Sequence, residues 1–110
     1  MKIDHHIDAG QKAILFKVTG ELDVHQAKVL RAAVQEVLRG EEEGAWSYEF
    51  DLGGVAYLDS SGLGMLVYLQ KEITRRKGTM SLTQVQEAVA KVFEITKLDG
   101  FFTLRRQGQG

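Results

Sequence analysis

The sequence predicts a single α/β domain whose mixed, mostly parallel sheet is built in the order β-β-α-β-α-β-α-β. Along its 110 residues, apolar residues change from strand-like alternation to helical spacing in three separate segments. Each of these predicted helices connects two predicted strands, and such a connection is typical of parallel strands. The length fits one domain, and residues 1–110 contain no internal repeat and no domain boundary.

The first two strands are predicted to form an antiparallel hairpin. Residues 1–7 are short and mixed in character, which favours an edge strand. In the next strand, Ile14, Phe16 and Val18 share one face. The turn signal at residues 9–11 contains a glycine and joins the two strands directly.

The first helix is predicted to begin at an Asp23 N-cap and to end at Arg39 and Gly40. A short acidic residue before an apolar repeat is a typical N-cap, and a cation followed by glycine is a typical helix end. The apolar residues at helical spacing are Val24, Ala27, Leu30, Val34, Val37 and Leu38. Residues 41–44, which include three glutamates, are predicted to form a solvated loop.

The central strand and the second helix follow. Trp46, Tyr48 and Phe50 alternate with polar residues, which predicts a strand that extends to residues 53–54. The second helix is predicted to start near Asp59 and to run to Lys77, where a basic last turn precedes a glycine.

The last third of the chain predicts a strand, a helix and a strand. Met80 and Leu82 indicate the short strand, and residues 101–104 the final one. The helix between them ends at residues 98–100, and residues 107–110 are expected to be frayed. Its apolar positions are Val85, Val89, Val92, Phe93 and Ile95.

Composition and charge exclude several classes of protein. The formal net charge is -1 and the isoelectric point is near 6.3, which excludes a strongly basic nucleic-acid binder. The absence of cysteine excludes a disulfide scaffold, a thiolate zinc site and a cysteine nucleophile. No apolar run reaches the roughly 18 residues that a membrane span requires. The N-terminus lacks the apolar region of a secretory signal, so we expect a cytoplasmic protein without membrane partners.

An enzyme or metal protein finds little support in the sequence. His5, His6 and His25 do not follow a metal-ligand pattern. The chain contains no G-x-S-x-G elbow, no Walker A loop and no HExxH motif. We therefore expect neither a metal nor a cofactor, and no enzymatic activity.

The densest cluster of small residues, D-S-S-G-L-G at residues 59–64, lies where a strand gives way to the second helix. If Asp59 is the N-cap, Ser60 and Ser61 occupy the first helical turn, near unpaired backbone N–H groups and the positive end of the helix dipole. A phosphate would be stabilised there. The simpler interpretation, that these residues only start a helix well, remains open on this evidence.

A helical wheel separates the two serines. At about 100° per residue, Ser61 lies opposite the apolar face, and Ser60 lies on its flank. Gly64, Met65 and Tyr68 surround Ser61 on the outer face, which favours a surface for a protein partner. Alternatively, Met65 and Tyr68 pack beneath a neighbouring loop. The apolar face comprises Leu63, Leu66, Val67 and Ile73.

Three segments resemble one known family. Residues 51–64 contain D-L, a valine and then L-D-S-S-G-L-G; residues 18–23 read V-T-G-E-L-D; and residues 92–99 read V-F-E-I-T-K-L-D. Together, and in this order, they closely resemble the motifs of the STAS-domain anti-sigma factor antagonists of the SpoIIAA type. The resemblance spans nearly the whole chain. It implies the STAS fold, with helices mainly on one face of the sheet.

The resemblance also implies partner switching. In this family the unphosphorylated protein binds an anti-sigma factor, which is also a serine kinase of the GHKL type, and so releases a sigma factor. The kinase phosphorylates the second serine of D-S-S-G, which matches Ser61, and a PP2C-type phosphatase reverses this. Such an antagonist is a monomer or weak dimer. The residues expected to form the partner surface are Glu21, Asp23, Asp59, Ser60, Gly62, Gly64, Met65 and Tyr68.

Two other functions remain open. The first is a non-switching STAS scaffold subunit of a stress-sensing or transport-associated complex, which would use the same fold for permanent contacts. The second is a small nucleotide-binding or hydrolytic enzyme built around Asp59 and Ser61, but the sequence offers no base for the serine.

Overall fold

The computed structural model describes residues 2–40 and 46–108. The predicted loop at residues 41–44 lies outside these ranges. The elements follow the chain in the predicted order: β1 (Lys2–Asp8), β2 (Ala13–Thr19), α1 (Val24–Gly40), β3 (Ser47–Gly54), α2 (Ser60–Arg75), β4 (Thr79–Val85), α3 (Glu87–Ile95) and β5 (Thr103–Arg106).

The five strands of the described chain lie in the sheet in their sequence order, β1-β2-β3-β4-β5. β1 pairs antiparallel with β2, and every later pair is parallel. Each helical crossover moves one position in the same direction, and such crossovers are right-handed, so the helices lie on one face of the sheet. The mixed, mostly parallel sheet with helices on one face is therefore confirmed.

The core lies between that face of the sheet and the helices. Phe16 of β2, Phe50 of β3 and Leu82 of β4 are neighbours across the sheet, and all three are fully buried. The rings of Phe16 and Phe50 stack with their centroids 5.0 Å apart. The residues adjacent to these phenylalanines in sequence, such as Lys17 in β2 and Glu49 in β3, are exposed on the opposite face. This alternation sets the register, because a slip of one residue would exchange the two faces.

Three predicted boundaries near the C-terminus are wrong. Val85 is the buried last residue of β4 and not part of α3, because the helix begins only after Gln86, its N-cap residue. The final strand is Thr103–Arg106 rather than residues 101–104, since Phe102 packs edge-on against Phe93 with centroids 5.2 Å apart. α3 ends at Ile95, ahead of the predicted stop.

The C-terminal segment and the end of α2 also differ from expectation. Gln107, expected in a frayed tail, donates its backbone N–H to the carbonyl of Val85 at 2.8 Å. α2 stops at Arg75, where the next N–H donates to the carbonyls of Glu72 and Ile73. In the described part of the chain, no helix combines the length and apolar character needed to cross a membrane.

Candidate functional site

The turn after β2 is fixed against the start of α2. The backbone N–H of Leu22 donates to the Tyr57 carbonyl at 3.0 Å, and the Leu22 carbonyl accepts from the Asp59 N–H at 3.2 Å. Leu22 is fully buried, so it anchors the turn. Glu21 and Asp23 flank Leu22 in the chain, and the fold therefore brings both acidic residues beside the head of α2.

Both helices that meet here begin with an aspartate cap. Asp23 Oδ1 accepts from the backbone N–H of His25 at 3.1 Å and of Gln26 at 2.9 Å. Asp59 Oδ1 accepts from the N–H of Gly62 at 3.0 Å. The two predicted N-caps are confirmed. Each carboxylate is held by the helix it starts, so its charge lies against the positive end of that helix.

Loss of the second cap gives a first testable prediction. Asp59→Ala should lower the free energy of unfolding by about 1 kcal/mol, because the first turn of α2 loses its acceptor. Chemical denaturation measures this. Asp59→Asn retains the acceptor oxygen and should cost less than half as much. An equal loss in both variants would show that the negative charge, and not the hydrogen bond, stabilises this helix start.

Gly62 is required inside the molecule. A Cβ atom at this position would lie 2.3 Å from the Leu22 carbonyl oxygen and 2.9 Å from a Leu58 methyl carbon. Gly62, expected on the partner surface, is instead buried against this chain's own Leu22. Gly64 differs, because it is exposed and a Cβ atom there would meet nothing within 4 Å.

A solvent-open groove of about 340 Å³ runs between α1 and α2. Ser61, at the head of α2, lies on one of its walls and is half-buried, whereas Ser60 is exposed outside it. The wheel predicted the reverse order of exposure. It is wrong because α1 packs beside α2 and partly covers the side that the wheel assigned to solvent. The groove residues are Val24, Ala27, Lys28 and Arg31 from α1 and Ser61, Gly64, Met65 and Tyr68 from α2.

The two apolar residues predicted on the outer face are partly covered by α1. Met65 is only 8% exposed and belongs to the core, so its prediction as a freely exposed contact is wrong. Tyr68 is half-buried, with the Arg31 guanidinium carbon 4.1 Å from its ring centroid. Its hydroxyl accepts a hydrogen bond from Gln35 Nε2 at 3.2 Å. The covering element is thus a helix and not the loop considered as the alternative.

A family model described as Mlab, STAS domain, matches residues 5–106. The chain belongs to the STAS domain family. The family predicted from the three sequence motifs is thereby confirmed.

Relatives of this STAS domain include an anti-sigma-B factor antagonist of Bacillus subtilis (strain 168). It is 29% identical over 110 residues, which is 100% of this chain and 97% of the relative. The unphosphorylated anti-sigma factor antagonist SpoIIAA superimposes with a TM-score of 0.74 at 21% identity, covering 94% of this chain and 87% of the other. The phosphorylated form of SpoIIAA from Bacillus gives 0.68 at 19%, covering 94% and 90%. These structural likenesses establish the shared fold.

The α1 wall of this STAS domain's groove was not predicted from the sequence. Val24, Lys28 and Arg31 are spaced by four and three residues, which places them on one side of a helix. That spacing was visible in the sequence, but nothing local indicated that this side faces Ser61. Val24 and Tyr57, both nearly half exposed, add apolar surface beside the same helix starts.

The charges of the site are distributed unevenly. Lys28 and Arg31 lie in the groove. Glu21, Asp23 and Asp59 lie at the end of the groove where α1 and α2 begin, called its N-terminal end below. Farther along α2, a hydrogen bond from Arg75 holds the pKa of Glu72 below its usual value. Within residues 2–40 and 46–108, no three His, Asp or Glu side chains form a group suited to a metal ion.

Proposed function

We propose that this STAS domain is an anti-sigma factor antagonist that phosphorylation of Ser61 switches off. Unphosphorylated, it binds an anti-sigma factor that is also a serine kinase, and a sigma factor is released. The observation that carries the proposal is the position of Ser61. Its side chain lines an open groove at the head of α2, beside the acidic turn anchored by Leu22.

The names of the relatives support the same role. The Bacillus subtilis relative that aligns over the whole chain is an anti-sigma-B factor antagonist. SpoIIAA, which shares the fold, has been solved both without and with phosphate. A domain that keeps one fold in both forms fits a mechanism in which the modification changes binding and leaves the architecture intact.

The docking surface comprises the groove and the residues at its N-terminal end. Exposed Gly64 leaves the α2 wall open to a partner's backbone. Tyr68 offers a partly covered aromatic surface, and Ser60 and Glu21 are exposed near the starts of α2 and α1. Asp23 and Asp59 hold the two helix starts in place. The surface therefore combines an apolar centre with a polar rim, as protein interfaces commonly do.

Phosphorylation acts on this surface through charge. Ser61 Oγ attacks the γ-phosphorus of ATP, the bond to the β-phosphate oxygen breaks, and the kinase accepts the hydroxyl proton as ADP leaves. The phosphoserine carries about -1.5 to -2 charges. The head of α2 stabilises that charge within the free domain, so the fold is retained. In the complex, the same charge is desolvated against the partner and weakens binding.

The proposal implies a defined set of partners. The kinase is of the GHKL type and supplies the ATP site, while a PP2C-type phosphatase restores the serine. The domain itself acts in the cytoplasm as a non-enzymatic monomer or weak dimer, without a cofactor of its own. Light scattering tests the oligomeric state. A large, permanent assembly would instead indicate the scaffold function.

Mapping of the phosphate tests the proposal directly. The protein is incubated with its cognate kinase and ATP, and the modified residue is identified by mass spectrometry. We expect one phosphate, on Ser61, and none in Ser61→Ala. Ser60→Ala is the matched control and should be modified normally. Phosphate on Ser60 or Thr19, with Ser61 unmodified, would contradict the assignment.

A further inference from the structure

Two cationic side chains share the groove with Ser61. Lys28 and Arg31 are three residues apart on α1 and line the wall opposite Ser61 and Gly64. Both are exposed, so each can change its side-chain conformation without disturbing the core. A phosphate attached to Ser61 would therefore enter a groove that already contains two positive charges.

In the unphosphorylated protein, Arg31 has a weak partner. Its guanidinium lies over the Tyr68 ring, 4.1 Å from the centroid, and an exposed contact of this kind is worth about 0.5–1 kcal/mol. A hydrogen bond between a guanidinium and a phosphate is stronger, because both groups are charged and Arg can bind two oxygens at once. Tyr68 would keep its place without Arg31, since Gln35 holds its hydroxyl.

The groove has room for this rearrangement. Gly64 lies one turn beyond Ser61 on the α2 wall, and a Cβ atom there would meet nothing within 4 Å. Lys28 lies about one turn before Arg31 on α1, and long helical side chains point back toward the helix N-terminus. Its ammonium group is thereby directed toward the end of the groove at which Ser61 lies.

Two of the three nearby acidic side chains are already bound. Asp23 accepts two backbone N–H groups at the start of α1, and Asp59 accepts one at the start of α2. Glu21 and His25 are exposed at the same end. The phosphate therefore has Lys28 and Arg31 as cationic side chains on the opposite wall.

We propose that Lys28 and Arg31 capture the phosphate of Ser61 within the same chain, and that Arg31 leaves the Tyr68 ring to do so. This inference rests on the proposed function, because it takes Ser61 as the modified residue. Its consequence is a second element of the switch. The phosphate fills the groove from within and withdraws both cations from the surface that the partner contacts.

The test uses protein in which phosphoserine is incorporated at position 61 during translation, so that no kinase is needed. Phosphorus NMR then gives the second pKa of the phosphate, which is about 6 for a free phosphoserine. Cations within contact distance lower it. We expect the double variant Lys28→Gln/Arg31→Gln to raise this pKa by at least about 0.7 unit relative to the otherwise unchanged phosphoprotein.

A matched control removes the same two charges elsewhere. Lys71→Gln/Lys91→Gln changes two exposed lysines, one of them ten residues along α2 from Ser61 and hence about 15 Å away. At physiological salt this double variant should leave the phosphate pKa unchanged within about 0.2 unit. Equal phosphate pKa values in the groove variant and the parent phosphoprotein would overturn the capture. Glu21, Asp23, His25 and Asp59 are the same in all of these proteins.

The two proposals fail separately. If the kinase does not modify Ser61, the proposed function fails, whereas the incorporated phosphate still reports on Lys28 and Arg31. If the kinase modifies Ser61 but the groove variant has an unchanged phosphate pKa, the antagonist function stands and the capture is wrong. The phosphate would then be stabilised by the head of α2 alone.

Discussion

Phosphate on Ser61 is expected to weaken binding of the anti-sigma factor about a thousandfold, the equivalent of about 4 kcal/mol. The phosphoserine lies on the wall of the α1–α2 groove, so a docked partner would have to desolvate most of a dianion. Ser61→Asp places a single negative charge there, on a side chain shorter than phosphoserine, and should weaken binding at least about tenfold. Ser61→Ala should bind as well as the unmodified protein. Isothermal titration calorimetry with the cognate anti-sigma factor measures the affinities of these three forms and of the unmodified protein.

Ser60→Asp is the matched control for this effect. It adds the same charge one residue earlier, on an exposed position outside the groove. We expect its affinity to stay within about threefold of the unmodified protein, since rim charges contribute little to affinity. Equal binding by Ser61→Asp and Ser61→Ala would contradict exclusion by charge. A large loss in Ser60→Asp alone would move the switch to the other serine.

Gly62→Ala is expected to lower the free energy of unfolding by about 2–3 kcal/mol, a large share of the stability of a small domain. The added methyl group would lie 2.3 Å from the Leu22 carbonyl oxygen, which is backbone and cannot rotate away. The turn after β2 or the head of α2 must therefore shift. Urea denaturation measures the loss, and partner binding should also weaken because Asp23 and Ser61 move apart.

Gly64→Ala separates stability from binding. This position is open, so alanine should stabilise α2 by about 0.5–1 kcal/mol through its higher helix propensity. The same methyl group projects into the groove and should weaken partner binding. Similar destabilisation by the two glycine variants would show that the contact between Gly62 and Leu22 is not what requires glycine. Unchanged binding by Gly64→Ala would remove Gly64 from the docking surface.

Local signals predicted much of this domain. The caps at Asp23 and Asp59 could be identified because a cap depends on residues within three positions of itself. The hairpin of β1 and β2 followed from a short turn between alternating strands. Boundaries failed where a single apolar residue, such as Val85, satisfied both the strand pattern and the helix pattern. The sequence contains no local signal that separates the two.

The candidate site was predicted only in part. Ser61 could be placed in the first turn of α2, because it follows the Asp59 cap by two residues. The acidic turn was assigned to the partner surface through the family resemblance. The buried state of Met65 and the close approach of Gly62 to Leu22 could not, since both depend on how tightly α1 and its preceding turn pack against α2. A helical wheel treats each helix alone. It therefore could not show that a second side of α2 is covered by α1.

By itself, the amino-acid sequence determined the order of strands and helices, the two caps and the serine pair that one of them introduces. Tertiary structure alone decided which serine lies in the groove and which side chains face it. Gln35 of α1 and Tyr68 of α2, which share a hydrogen bond, are 33 positions apart in the chain. Periodicity, capping and turn preferences act over a few residues, so they carry no information about such a contact; the packing of two crossover helices on one sheet does.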